Sequence, residues 1–275
     1  MSEPNSRGPL VSVLMGAYNC EGTLGASVDS MLVQDYENIE LVICDDGSVD
    51  STLEVVRDRA AKDPRVVVLR NERNLGLAKT LNRCIAAASG AYLARMDGDD
   101  FSRPDRIGKQ VRFLEAHPEY DLCGSSIALF DSRGVWGKID YPERPDARSF
   151  LLRSPFAHPS VMFRAGVLRA AGGYREDPAV GRSEDYELFM RLHAEGHRGC
   201  NIQEYLLEYR EDPDSVKRRK IKYALAEARV RLRGFKRLGL LPGGIPYVVK
   251  PLVIGLVPKR AYSLARKLVF GAASR

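Results

Sequence analysis

The sequence has no uninterrupted apolar run of the roughly 18 residues that a membrane-spanning helix needs. Its first nine residues are polar and lack the apolar core of a secretion signal. The cysteines are odd in number, widely spaced and mostly inside apolar runs, which argues against a disulfide framework and against a zinc site. They are Cys20, Cys44, Cys84, Cys123 and Cys200. We therefore expect reduced, packed thiols in a cytoplasmic protein, with residues 1–9 as a flexible N-terminus.

Charge is distributed unevenly along the chain, although the net value is only +6 at neutral pH. Residues 210–275 contain 17 Lys and Arg against 4 Asp and Glu, whereas residues 1–209 contain 25 against 32. A basic segment beside an acidic body indicates an anionic partner for that segment alone. We place a main domain at residues 10–210 and a basic, partly apolar helical extension at residues 211–275.

The first hundred residues alternate short apolar runs with stretches of helical periodicity. The apolar runs predict strands at 10–15, 39–44, 66–69 and 91–96, and the periodic stretches predict helices at 23–32 and 78–88. A further helix is expected after Ser51, because Glu54 three residues later completes a capping-box pattern. This alternation predicts βαβ units and a parallel sheet covered on both faces. No G-x-G-x-x-G follows the first strand, which argues against a dinucleotide-binding fold of that kind.

The second half is less regular. Periodicity predicts helices at 106–116, 146–152, 167–171 and 184–195, and apolar runs predict strands at 122–130 and 158–163.

An acid cluster, Asp97, Asp99 and Asp100, directly follows the strand predicted at 91–96. In open α/β sheets the carboxyl ends of the strands form the edge where ligands bind. Three carboxylates in four residues repel one another unless a cation offsets them. Mg²⁺ or Mn²⁺ accepts one or two protein carboxylates and takes water and substrate phosphates as its other ligands. One interpretation is therefore a metal–diphosphate site, and the other is a solvated acidic turn, since Asp-Gly is a common turn dipeptide.

Other polar residues also admit two interpretations. Asp45 and Asp46 end the second predicted strand, where a carboxylate can accept from a ribose hydroxyl or a pyrimidine N–H, or can simply cap a turn. Glu184 and Asp185 open a predicted helix, where acids commonly complement the helix dipole but can also take a proton from a hydroxyl nucleophile. His158 is either a structural histidine or a contact to metal, phosphate or acceptor.

In their order and spacing, these segments resemble the family 2 glycosyltransferases, which have the GT-A fold. The resemblance covers about residues 10–210 and leaves the extension outside it. The matching segments are Val11-Ser12-Val13 with Ala17-Tyr18-Asn19, Asp45-Asp46-Gly47-Ser48 with Asp50-Ser51-Thr52, Arg73-Asn74-Leu75-Gly76, Asp97-Gly98-Asp99-Asp100, Pro104-Asp105-Arg106, His158-Pro159-Ser160-Val161 and Glu184-Asp185-Tyr186-Glu187-Leu188.

The resemblance implies an α/β fold of the GT-A type, with a Rossmann-like mixed sheet whose parallel half binds the nucleotide. It implies transfer of a sugar, with inversion, from a nucleotide diphosphate-sugar to a hydroxyl of a glycan or lipid-linked acceptor in cell-envelope or extracellular polysaccharide synthesis. On the donor side, Ala17 and Tyr18 would line the nucleotide pocket, and Asp46 would contact the base or ribose. Asp97 would lie near the ribose and diphosphate, and Lys79 is a further candidate for a phosphate contact.

The resemblance also assigns the metal and the base. Asp99, with Asp97, would hold a divalent cation, Mn²⁺ or Mg²⁺. Asp185 matches the general base, with Glu184 as its neighbour, and His158 is a candidate contact to acceptor or phosphate. Because a metal neutralises charge on the departing diphosphate, one carboxylate suffices for the proton transfer.

Two other functions are compatible with a fold of this type, since fold alone does not decide function. A sugar nucleotidyltransferase would carry a Gly-rich phosphate loop after the first strand, and Gly16-Ala17-Tyr18-Asn19 is a poor substitute for one. A non-catalytic carbohydrate-binding relative is the second alternative, and the retention of Asp97, Asp99 and Asp185 argues against it.

The extension likewise has two interpretations. Its basic residues and the apolar run at 245–257 favour peripheral attachment to an anionic inner leaflet, or the segment packs on the main domain. The apolar run is too short to span a bilayer and is interrupted by Lys250, Pro251 and Gly255. Nucleic-acid binding is disfavoured, because the body is acidic and no aromatic-basic platform is present.

Overall fold

Four apolar runs in the first half form neighbouring parallel strands. They are β1 (Val11–Ala17), β2 (Ile39–Asp45), β3 (Val66–Arg70) and β4 (Tyr92–Asp97). The computed structural model describes residues 8–211 and 221–256. The predicted flexible N-terminus therefore lies almost entirely outside the described residues, and so do residues 212–220 and 257–275 of the extension.

The helices between these strands are α1 (Glu21–Leu32), α2 (Thr52–Lys62) and α3 (Leu77–Ala87), close to the predicted bounds. The predicted capping box is wrong, because Ser51 takes the N-cap position of α2 without a side-chain cap hydrogen bond. Asp50 Oδ1 instead accepts from the N–H of Thr52 at 3.1 Å, and the Ser51 N–H donates to Glu21 Oε2 at 2.8 Å. Glu21 of α1 thus accepts the Ser51 N–H that a capping box would have directed to Glu54.

The second half supplies shorter elements. They are β5 (Phe101–Ser102), α4 (Arg106–Ala116), β6 (Leu122–Asp131), β7 (Gly134–Ile139), β8 (Met162–Arg164), α5 (Ala165–Ala170), α6 (Glu184–Ala194) and β9 (Gly199–Arg210), with 3₁₀ turns at Ala147–Phe150 and His158–Ser160. The strand predicted at 158–163 is thus wrong in its first half. Pro159 lies in the first turn of the 3₁₀ helix, where its missing N–H costs nothing.

The strands form one mixed sheet in the order β3-β2-β1-β4-β8-β6-β9-β5, with β7 paired to β6. The first four strands are parallel, and β8 runs antiparallel to both β4 and β6. The expected mixed sheet with a parallel half is confirmed. In its register Gly16 lies opposite Asp97, and Ala17 lies opposite Asp45. The predicted donor and metal residues therefore start from one edge of the sheet.

The described part of the extension consists of α7 (Ile221–Arg237) and α8 (Ile245–Leu256). Helix α7 packs closely on α6, since a Cβ added to Gly234 would clash with the side chain of Met190. Arg231 of α7 donates to the carbonyl oxygens of Leu151 and Leu152 at 2.8 and 3.2 Å. Packing on the main domain, one of the two interpretations of the extension, thus holds for this helix. None of the described helices is both long and apolar enough to cross a membrane.

Candidate functional site

The acid cluster begins at the last residue of β4 and continues on the turn after it, and α1 fixes the shape of that turn. The Thr23 hydroxyl donates to the carbonyl of Gly98 at 2.9 Å, and the Ser27 hydroxyl donates to that of Asp97 at 2.7 Å. One carboxylate oxygen from each of Asp97, Asp99 and Asp100 lies within 4.8 Å of the others. The structure therefore brings the three predicted acids together.

The electrostatics of the cluster suit a divalent cation. The protein around Asp99 removes part of its hydration, and with the nearby charge of Asp97 this raises the pKa of Asp99. Burial and both neighbouring acids raise the pKa of Asp100 well above its usual range. Asp100 Oδ1 accepts the N–H of Arg210 at 2.8 Å, while its buried Oδ2 has no hydrogen-bond partner among the described residues. Closely spaced carboxylates that repel one another, one of them with an oxygen that lacks a hydrogen-bond partner among those residues, are suitable ligands for Mg²⁺ or Mn²⁺.

A buried cation, Arg95, lies beneath this cluster and was not among the site residues predicted from the sequence. Its Nη1 lies 2.5 Å from Asp97 Oδ1, and its side chain is 2 % exposed. Arg106 donates from Nη2 to the Arg95 carbonyl at 2.7 Å, which ties β4 to α4. The available signal was a charged residue inside the otherwise apolar run at 91–96. Such a residue is rarely buried without a charged partner.

Four of the predicted donor-binding residues line a single cavity of about 820 Å³ between the sheet edge and α3. They are Ala17, Tyr18, Asp46 and Lys79. Tyr18 is 47 % exposed, so one side of its ring is open to a ligand. The chain thus gathers these residues from β1, the turns that follow β1 and β2, and the first turn of α3.

Asp46 also has a structural task in this cavity. Its Oδ1 accepts from Asn71 Nδ2 at 2.7 Å and from the N–H of Leu75 at 2.8 Å, while its Oδ2 accepts the N–H of Gly76 at 2.9 Å. The carboxylate therefore shapes the loop before α3. A carboxylate oxygen has two lone pairs, so Oδ2 retains capacity for one more donor.

A second cavity, of about 690 Å³, is bordered by Asp97 of the acid cluster. Its inner end is lined by Arg95, Asp97, His158, Glu184 and Asp185. Glu184 also lines the first cavity, whereas Asp185 faces the second. The first turn of α6 therefore stands at the junction of the two cavities.

Both acids of α6 are more basic than free carboxylates. Burial, followed by the charge of Asp185, raises the pKa of Glu184 to about 7. Burial also raises the pKa of Asp185, against the opposing effects of the Tyr186 N–H and of Arg95. Burial thus makes each carboxylate a stronger base than a free carboxylate, which favours proton transfer from a hydroxyl. The position of both acids at a helix start was predicted from the sequence, but the rise in pKa comes mainly from burial, which the rest of the fold provides.

His158 is a buried, neutral residue at the wall of the second cavity. Its Nε2 hydrogen-bonds to the hydroxyl of Tyr174 at 2.7 Å. Burial, and next the charge of Arg95, lower its pKa well below the usual range. These contacts fit the interpretation of His158 as a structural residue. Because His158 also lies on the cavity wall, its contact to acceptor or phosphate stays a prediction.

Comparison with known proteins agrees with this arrangement. Residues 12–171 match the model of glycosyl transferase family 2. The putative glycosyltransferase EpsE of Bacillus subtilis is 42 % identical over 91 % of this chain and 91 % of its own length. WfaP of Escherichia coli, a UDP-Glc:alpha-D-GlcNAc-diphosphoundecaprenol beta-1,3-glucosyltransferase, is 29 % identical over 80 % of this chain and 85 % of its own.

Among solved structures, the mannosyltransferase PcManGT from Pyrobaculum calidifontis, in complex with GDP-Man and Mn²⁺, is similar in fold. The TM-score is 0.63 at 20 % identity, covering 95 % of this chain and 80 % of that one. Sequence, fold and the arrangement of acids thus agree that the chain belongs to glycosyl transferase family 2 and has the GT-A fold.

Proposed function

We propose that the protein transfers a sugar, with inversion, from a nucleotide diphosphate-sugar to a hydroxyl of a glycan or lipid-linked acceptor in polysaccharide synthesis. The observation that carries this proposal is the position of Glu184 and Asp185 between two cavities. One cavity is lined by four of the predicted donor-binding residues, and the other is lined by Asp185 together with Asp97 of the acid cluster.

In this reaction Asp185 takes the proton from the acceptor hydroxyl. The acceptor oxygen then bonds to the anomeric carbon as the bond from that carbon to the diphosphate oxygen breaks on the opposite face. Asp99 and Asp97 would hold a divalent cation, whose chemistry is to neutralise negative charge on the departing diphosphate. Arg95 and Arg210 keep the acid cluster in place, through the ion pair to Asp97 and a hydrogen bond from Arg210 Nε to the Asp99 carbonyl.

The relatives support the substrate classes. WfaP, by its name, moves glucose from UDP-Glc to a diphosphoundecaprenol-linked sugar. PcManGT was solved with GDP-Man and Mn²⁺, which agrees with the acid cluster found here. The nucleobase and the sugar differ between these two proteins, so neither is assigned to this chain.

A product analysis tests the proposal against its two alternatives. The protein is incubated with a panel of nucleotide sugars, Mn²⁺ and envelope extract, and the small products are separated. We expect a nucleoside diphosphate in amounts equal to the transferred sugar. Release of pyrophosphate would identify a sugar nucleotidyltransferase, and a nucleotide sugar that binds without turnover would identify a non-catalytic relative.

We also propose that α7 and α8 attach the enzyme to an anionic membrane surface. On α7 the exposed apolar residues Ile221, Leu225 and Leu232 share one face, and the exposed cations Arg229 and Lys236 lie next to that face. A helix with an apolar stripe flanked by basic residues binds in the headgroup region of anionic bilayers.

Helix α8 repeats the apolar part of this pattern. Ile245, Val249 and Val253 are 44 %, 44 % and 56 % exposed and recur every four residues. Because α8 packs against α7, both helices can place apolar side chains in the same membrane surface. This placement would keep the active site near a lipid-linked acceptor.

A further inference from the structure

The second cavity has two chemically different ends. Its inner end contains Asp97, Glu184 and Asp185 beside Arg95 and His158, whereas Arg153, Lys250 and Glu211 line the rest, and Arg182 is shared with the first cavity. Apolar side chains from Ile127, Ile139, Phe156 and Ile254 also line this cavity. Lys250 and Ile254 come from α8, so the extension builds part of this wall.

Lys250 is held at the wall by the protein backbone. Its Nζ donates to the carbonyl of Leu152 at 2.8 Å, which leaves two of its three N–H donors for another partner. The same stretch of backbone is fixed by Arg231 of α7, which donates to the carbonyls of Leu151 and Leu152. Burial, and next the charge of Arg231, lower the pKa of Lys250. An anion placed here would relieve this concentration of positive charge.

Arg153 lies on the same wall, and within the described part of the chain only one nitrogen of its guanidinium donates a hydrogen bond to the protein. Its Nη2 donates to the carbonyl of Asp140 at 2.9 Å, and its guanidinium lies 4.9 Å from the centre of the Tyr141 ring. Within residues 8–211 and 221–256, no carboxylate forms an ion pair with Arg153, Arg182 or Lys250. Arginine forks bind phosphate groups through paired hydrogen bonds, and lysine adds a point charge.

We propose that this cavity is the acceptor site and that Arg153 and Lys250 bind a phosphate or diphosphate group carried by the acceptor. The apolar wall contacts the remainder of the acceptor, and the acceptor hydroxyl reaches Asp185 at the inner end. This inference rests on the proposed glycosyl transfer and adds the acceptor's chemical class. Two acceptors share this chemistry: a sugar linked through diphosphate to a lipid carrier, and a phosphorylated glycan.

Calorimetric titration of the full chain tests the inference with three probes below their micelle concentrations. These are N-acetylglucosamine linked through diphosphate to a decyl chain, the decyl glycoside of the same sugar, and N-acetylglucosamine 1-phosphate. The donor pocket is first saturated with Mn²⁺ and the nucleoside diphosphate of whichever nucleotide sugar binds best, so that the probes do not enter it. We expect the decyl diphosphate probe to bind at least about tenfold more tightly than the decyl glycoside.

Matched double variants locate the anion site. R153Q/K250Q should remove this preference, whereas R229Q/K236Q, which deletes the same charge from the outer face of α7, should preserve it. Folding of both variants is checked by thermal unfolding, and the single variants R153Q and K250Q serve if the double variant unfolds. If N-acetylglucosamine 1-phosphate binds as tightly as the decyl diphosphate probe, the acceptor is a phosphorylated glycan. If the decyl diphosphate probe binds more tightly, the acceptor is linked to a lipid carrier.

Several results would overturn the inference. They are absence of binding by both phosphorylated probes, equal affinity for the decyl glycoside, and undiminished preference in R153Q/K250Q. The nucleotide-sugar titration in the same samples separates this failure from that of the proposed function. If donor binds and the probes behave in any of these ways, only the acceptor assignment fails.

Discussion

Arg95 and Asp97 form an ion pair at the floor of the site, with 2.5 Å between Nη1 and Oδ1. Asp97 also belongs to the acid cluster, so one buried guanidinium fixes a carboxylate that the proposal assigns to donor and metal. The charge of Arg95 further lowers the pKa values of Glu184 and Asp185 against the larger effect of burial. Arg95 therefore acts electrostatically on both the acid cluster and the two acids of α6.

Replacing Arg95 with lysine tests this relationship. Lysine keeps the charge but replaces the planar guanidinium with a compact ammonium, which cannot reproduce the position of Nη1 beside Asp97. We expect R95K to fold and to bind a nucleotide sugar with Mn²⁺ about tenfold or more weakly, measured by calorimetry. R65K is the matched control, because Arg65 pairs with Asp63 at the opposite edge of the sheet. Donor affinity that is equal in R95K and wild type would show that Asp97 needs no such support.

The divalent cation should depend chiefly on Asp99. D99N keeps the size of the side chain and removes its charge, so metal-dependent donor binding should disappear while the thermal unfolding temperature changes little. The control is D105N. Asp105 lies on the loop beyond the cluster, and its carboxylate forms an ion pair with Lys109 of α4. Full turnover of D99N in the presence of a chelator would contradict the metal assignment.

Asp185 should act as the base, because it faces the second cavity. D185N should lower turnover by about a hundredfold or more, the range attributed to general-base catalysis, with donor affinity almost unchanged. E184Q should have the smaller effect on turnover, since Glu184 lines both cavities. The roles within the pair would be reversed if E184Q gave the large loss and D185N did not.

Stability should fall with rising pH because of Glu184. The pKa of this group is raised from 4.5 to about 7 in the folded state, so the folded protein holds a proton that the unfolded chain releases between those values. The stability lost across this window is about 3 kcal/mol. E184Q should therefore unfold several degrees higher than wild type at pH 8 and at nearly the same temperature at pH 4.5.

The control for this comparison is E195Q, which changes an exposed glutamate just after the same helix. It should follow the wild-type curve at both pH values. Metal-free samples keep ligand binding out of the measurement. If the unfolding temperatures of E184Q and wild type changed with pH in parallel, burial would not disfavour the charged form of Glu184.

Membrane attachment is tested by co-sedimentation with anionic liposomes at low salt. Truncation before α7 is unsuitable, since it would expose the core residues that Val230 and Phe235 cover. R229Q/K236Q removes two charges from the outer face instead, and each is worth about 1 kcal/mol near such a surface. We expect about thirtyfold weaker partitioning, with R153Q/K250Q close to wild type. Absence of wild-type binding would rule the attachment out.

The sequence by itself determined the family and the parallel half of the sheet. Apolar runs that alternate with helical periodicity specify which residues are buried, and this local information located β1 to β4 and the acids at their carboxyl ends. The order of short motifs then limited the fold to the GT-A type. The extent of α4 was also predicted at 106–116, because its periodicity is long and regular.

Only the tertiary structure decided which distant groups share the site. The ion pair of Arg95, the raised pKa of Glu184 and the cavity wall supplied by Lys250 all depend on burial by segments far apart in the chain. Local signals failed where such a neighbour intervened, as when Glu21 replaced the expected cap of α2. Periodicity records the buried face of an element, but the partner of that face, and therefore the chemistry of the site, is set by how the elements pack.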